Sequence, residues 1–167
     1  MTEHDHNFYP GDLATPAEIR KLAEEYRLAA DNLRLTFRSG APISRAPYRL
    51  VAIHAIELYL NACLVSAGNS KSAVRGLRHD FAKRADLAIN AHLKLRKRTE
   101  QHLRSISERR EYLATRYDPA SKQMSEINRL DATLVEIAQK VSALLDAESK
   151  AQNKPAATPL ANRPPLR

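Results

Sequence analysis

The sequence predicts an all-α protein, a bundle of about five helices with flexible ends. Three observations carry this. Ala, Leu, Arg, Lys and Glu dominate a chain of 167 residues with 5% aromatics, no Trp and only four Gly, whereas sandwiches and barrels draw on aromatic and β-branched residues and glycine-rich turns. Apolar residues recur at steps of three and four through most of the chain. Helix start and stop signals bracket each such run. Hydrophobic residues at 43% and charged residues at 28% are ordinary globular usage. One domain is expected over residues 15–150, after a lead-in at residues 1–14 and before a Pro-rich tail at residues 151–167.

The lead-in is acidic and has no apolar signal core. Its Phe8-Tyr9-Pro10-Gly11 step reads as a turn that could dock on the domain. Thr15-Pro16-Ala17-Glu18 is a helix start, with a capping residue, a proline at the first helical position and a Glu to complete a capping box. Ile19, Leu22, Ala23, Tyr26, Ala30, Leu33 and Phe37 carry this helix to about Phe37, where Ser39-Gly40-Ala41-Pro42 ends it. The second helix, about residues 47–67, is apolar around most of its circumference and is expected at the centre of the bundle. Residues 69–79 read as a basic loop or a short helical turn. Asp80 caps a third helix, about residues 81–95, with Phe81, Ala85, Ala88 and either His92 or Leu93 inside. A fourth runs over about residues 98–116 and stops at Asp118-Pro119. The last covers about residues 121–150.

In that last helix Ile127, Leu130, Leu134, Ile137, Val141 and Leu144 alternate steps of three and four, the seam of a heptad. Packing within its own bundle requires a wider stripe than this seam, and so predicts that Ala138 and Leu145 are buried as well. Pairing with a second chain would cover the seam alone. The wider stripe favours packing within the chain, which leaves a dimer surface near the second and fourth helices and Arg110.

Charge is concentrated. The chain carries a net +8, and residues 71–116 alone hold thirteen Lys or Arg against five Asp or Glu. Such a field attracts polyanions by counterion release, although a solvated helix face has the same composition. Arg96, Lys97, Arg98, Arg104, Arg109, Arg110 and Arg116 are the candidate nucleic-acid contacts. A single cysteine, Cys63, excludes an internal disulfide and a multi-cysteine zinc site, and mid-helix it reads as a buried inert thiol. There is no phosphate loop, dinucleotide fingerprint or His-Glu-x-x-His, so no cofactor or metal is expected. His4 and His6 could chelate a metal only weakly. The most apolar run contains His54, Glu57 and Asn61, too polar for a lipid-facing span, and a cytoplasmic, soluble protein is expected. Those three residues share one helix face. They form either a polar seam or, if partners from another helix converge on them, a site for acid–base or metal chemistry.

The run Leu50-Val51-Ala52-Ile53-His54-Ala55-Ile56-Glu57-Leu58-Tyr59-Leu60-Asn61-Ala62 resembles the second-helix signature of HEPN domains, with Asn61 in place of the usual Lys. Arg78-His79-Asp80-Phe81 and Arg116-Tyr117-Asp118-Pro119 are similar to later steps of that family, in the same order, over residues 15–119. The resemblance implies a helical bundle whose first two helices pair antiparallel, and a homodimer. It also implies metal-independent ribonuclease chemistry in toxin–antitoxin or defence systems, and a nucleotidyltransferase-like partner protein. The family's active pattern is an Arg, four to six residues, then a His, often followed by x-Tyr. The Arg stabilises phosphate charge and the His moves protons.

Here Arg110 and Tyr117 occupy the Arg and Tyr places, and Thr115 stands where the His belongs. Threonine has no proton-transfer pKa near neutrality. The expectation is therefore a HEPN-like module lacking ribonuclease activity, which binds RNA or a protein partner. Two alternatives remain. Arg96 and His102 have the Arg-then-His spacing, as do Arg49 and His54, and Arg96 with His102 would serve an active endoribonuclease. Otherwise the basic segment makes the chain a nucleic-acid-binding accessory protein without chemistry.

Overall fold

The computed structural model describes residues 9–153, so His4, His6 and most of the expected tail lie outside the described residues. Within them the chain is helical, with seven α-helices in place of about five. These are α1 (Pro16–Arg34), α2 (Ala46–Ser66), α3 (Lys71–Gly76), α4 (Phe81–Asn90), α5 (Lys97–Glu108), α6 (Glu111–Tyr117) and α7 (Ile127–Gln152), with a 3-10 turn at Pro42–Arg45 leading into α2.

Local chemistry sets the starts. Thr15 and Glu18 form the expected reciprocal capping box around Pro16. Ser70 accepts from the Ala73 N–H at 3.1 Å to open α3, and Asp80 accepts from the Lys83 N–H at 2.9 Å to open α4. The stops are earlier than periodicity suggests. α1 ends at Arg34 because the N–H groups of Leu35, Thr36 and Phe37 turn to carbonyls three residues back, which brings the Phe37 ring edge-on to Tyr48 at 5.4 Å. α4 ends at Asn90, and His92 takes a left-handed conformation (φ 70°). That turn leaves Leu93, and not His92, in the core.

Three long helices make the frame. Going up α1, its partners run down α2: Glu24 meets Tyr59, Tyr26 meets His54, and Phe37 meets Tyr48. The two helices are therefore antiparallel. α7 runs parallel to α2, since Tyr48 reaches Asp131 and Ser66 reaches Glu148. α2 is sandwiched between them, with Ile53, Ile56, Tyr59, Leu60 and Leu64 fully buried. Stretch Pro42–Ser66 has the length and hydropathy of a membrane span, but 56% of its most apolar window is buried within the bundle and it carries the ion-paired Glu57. Leu130, Leu134, Ile137 and Val141 of α7 are buried, and so are Ala138 and Leu145 at 8% exposure each. The wide stripe expected of packing within the chain is therefore present. α4 and α5 form an antiparallel hairpin on this frame, fastened where Ser107 Oγ accepts from the Phe81 N–H at 3.1 Å and where Arg104 pairs with Asp86.

The expected fourth helix is broken. Arg110 takes a left-handed conformation (φ 50°) between α5 and α6. The break has a geometric consequence. At 3.6 residues per turn, Glu111 on a continuous helix would sit about half a turn around from His102. In the structure both side chains meet on Ser125, which only the break allows. α7 also starts later than expected, at Ile127, because the preceding backbone is drawn to Glu111.

Candidate functional site

The residues of the degenerate Arg–Thr–Tyr pattern lie around α6. Arg110 is its exposed N-cap residue. Thr115, one turn into the helix, donates its hydroxyl to the Glu111 carbonyl at 2.7 Å, so its one proton is engaged by backbone. Tyr117 ends the helix with 73% of its surface exposed. The Arg116 guanidinium lies 5.1 Å from the Tyr112 ring centre and 5.6 Å from that of Tyr117, and donates to the Tyr112 hydroxyl at 3.2 Å.

Thr115, Arg116 and Tyr117 form one wall of a groove of about 520 Å³. The opposite wall is the 3-10 turn and the start of α2, which supply Arg45 and Arg49, and the loop after α6 adds Lys122. These four cations outnumber Asp118 and Glu126, the acidic groups of the lining. Arg45 and Lys122 were not singled out by sequence reasoning. Both fall outside the basic segment, and only the return of the 118–126 loop past the start of α2 brings them to Arg116.

Beneath the groove lies a buried polar network. The Glu111 carboxylate is fully buried and accepts from the Ser125 N–H at 2.8 Å, from the Ser125 hydroxyl at 2.5 Å and from Arg49 at 3.3 Å. Arg49 also donates to the Ser125 carbonyl, and burial pulls its guanidinium below the usual arginine value. His102, 7% exposed, completes the network. Ser125 gives its hydroxyl proton to Glu111, so the imidazole Nε2 at 2.7 Å must donate to it. Nδ1 then accepts from the Thr133 hydroxyl at 2.8 Å. Burial holds His102 down to about 4. A neutral imidazole with both nitrogens engaged has no free site for moving a substrate proton, and Arg96 lies a turn and a half away, exposed at the N-cap of α5. The structure does not assemble Arg96 and His102 into a working pair.

The other candidate cations are spread out. Arg96, Lys97 and Arg98 are exposed at the start of α5, and Arg109 at its end, about 17 Å from Arg98 by helical rise. Arg104 between them is paired with Asp86 and with Glu100. The seven therefore do not form one patch, and Arg116 is the member that shares a cavity with other cations and an exposed ring.

The His54–Glu57–Asn61 seam does meet partners from other elements. Arg84 of α4, 2% exposed, binds Glu57 at 3.0 Å and donates to Asn61 Oδ1 at 2.8 Å. His79 Nδ1 lies 3.3 Å from the other Glu57 oxygen, with its ring stacked on Tyr112 at 3.7 Å. Both carboxylate oxygens are thus engaged, as a structural seam requires. His54 packs edge-on to Tyr26 at 4.5 Å, its Nδ1 has no partner among the described residues, and burial lowers its pKa. Among the described residues no group of three His, Cys, Asp or Glu side chains is placed to hold a metal ion. Cys63 is fully buried and its thiol is pushed up to about 11 by that burial, the state of an inert core thiol.

Comparison with protein-family models, with curated proteins and with solved structures gave no match.

Proposed function

We propose that this chain is a HEPN-like helical module that binds single-stranded RNA without cutting it. The carrying observation is the exposed Tyr117 ring beside Arg116 in a groove that also holds Arg45 and Lys122. A free aromatic face next to a run of cations suits a splayed base and its phosphates, because stacking and backbone neutralisation together hold single strands without base readout. The lack of cleavage follows from chemistry already described. Thr115 has its proton on a carbonyl, and the imidazole of His102 is neutral and internally bonded. The same proposal includes a homodimer acting in a defence or toxin–antitoxin setting beside a nucleotidyltransferase-like partner, as the resemblance implies. Light scattering on the full chain reads the dimer as twice the chain mass.

The test is fluorescence anisotropy with a labelled 12-nucleotide RNA, followed by a gel of the same mixture. Binding is expected with a log–log salt slope of about −2, for three cations on a single strand. Tyr117→Ala is expected to weaken it roughly tenfold through lost stacking, and Arg116→Ala to flatten the slope. RNA should stay intact in chelator. Absence of binding at low salt would remove the reading, and metal-independent cleavage would replace it with the ribonuclease alternative.

A further inference from the structure

A second cavity, of about 1020 Å³, lies on the far side of α2 from α7, and nothing in the RNA-binding proposal uses it. One wall is apolar, built by Ile19 and Leu22 of α1, Leu58 and Val65 of α2 and Val74 of α3. The other end is cationic, with Lys71 and Arg75 of α3 and Arg78 just beyond it. Glu57, Arg84 and Asn61 close the inner side, but they satisfy one another. Glu18 also lines the cavity, with its carboxylate drawn onto Thr15, so the charge open to an occupant is positive on balance, with Lys71, Arg75 and Arg78 against Glu18.

Residues 9–14 are laid over this cavity. This is the docking for which the Pro10-Gly11 turn is suited, with Gly11 at φ 89°. The segment holds on by one acidic residue. Asp12 Oδ1 sits 2.5 Å from the Arg75 guanidinium, and the Asp12 carbonyl accepts from Lys71 Nζ at 2.5 Å. Arg75 is in turn covered by the Tyr9 ring at 4.1 Å. A half-buried ion pair of this kind is still weak, because water reaches both partners. The strap is pinned firmly only at its far end, by the Thr15–Glu18 capping box.

We propose that this cavity binds an organic carboxylate with an apolar chain, and that Asp12 is the internal carboxylate which such a ligand displaces. The apolar wall takes the chain, while Lys71 and Arg75 take the head group in a charge-assisted contact. A cavity of this size with an apolar wall and few convergent charges has the usual form of a small-molecule site.

The experiment is calorimetric titration of the full chain with decanoate, with acetate and decyltrimethylammonium as comparisons. Saturable one-to-one binding of decanoate is expected. Asp12→Asn should tighten it about two- to fivefold, because a weakly held internal occupant lowers apparent affinity by the fraction of time it is seated. In the Asp12→Asn background, where Arg75 no longer has an internal carboxylate, Arg75→Gln should weaken decanoate about tenfold or more through loss of the charged contact. Leu22→Trp, at a half-exposed position on the apolar wall, should weaken decanoate by narrowing the space. Circular dichroism checks that each variant stays folded. Absence of decanoate binding in the Asp12→Asn variant overturns the proposal. So does equal binding of the decyl cation, or weaker binding in Asp12→Asn than in the parent.

Discussion

Glu111→Ala is expected to destabilise the fold by about 3–5 kcal/mol, the range for breaking a buried pair by removing one partner. The loss has three parts. Arg49, with 12% of its side chain exposed, keeps its charge and loses its carboxylate. The Ser125 N–H loses its acceptor, and the Ser125 hydroxyl loses the one that orients it toward His102. Glu111→Gln keeps the shape and one acceptor oxygen and should lose less, so the difference between the two variants isolates the charge. Urea unfolding of the parent and both variants measures this. A loss below about 1 kcal/mol for Glu111→Ala would mean that water fills the network without difficulty. The expected damage extends to function, since Ser125 lines the groove beneath Tyr117. RNA binding should therefore fall with stability in Glu111→Ala.

Acid should begin to destabilise the protein before its carboxylates titrate. His102 takes a proton near 6.5 in the unfolded chain but only near 4 in the folded one, because burial opposes the charge. Between those values the unfolded state holds the extra proton. Stability is thus full above pH 6.5, falls as pH drops through the window, and levels off below 4. The whole loss from this group is at most ~3 kcal/mol. His54, lowered chiefly by burial, adds a loss of the same sign. Glu24 acts in a lower window, because Arg27, with help from Tyr59, holds its carboxyl down to about 2. Chemical denaturation at a series of pH values follows the decline. His102→Gln retains one donor and one acceptor for Ser125 and Thr133 but does not titrate, so its curve should be flatter between pH 6.5 and 4. Identical slopes in parent and variant would show that His102 is not the group responsible.

Much of the helical framework was legible locally. The capping box at Thr15, the Asp80 cap, the all-round apolar second helix and the widened stripe of the last helix are properties of short windows, where spacing and hydrogen-bonding groups are sufficient. The helix ends were less legible. A proline or a capping side chain marks a start, but the left-handed turn at Arg110 uses a residue with no preference for that conformation, and tertiary contacts hold it. The seam was visible as a shared face of α2, while Arg84 and His79, which engage it, come from 18 or more residues further on.

The sequence by itself determined that the chain is helical, where most helices begin, that α2 is central, and that Thr115 cannot do the work of a histidine. Tertiary structure decided which charged groups are available to a ligand. Glu111, His102 and Arg84 look like surface residues by type, yet each is buried, and Arg49 nearly so, because partners from distant segments satisfy them. Arg45, Arg116 and Lys122 become one groove, and Asp12 meets Lys71 and Arg75, only after the chain has folded back on itself. The physical reason is the range of the forces. Capping and periodicity act within a few residues, whereas the burial of a charge depends on every segment that closes over it.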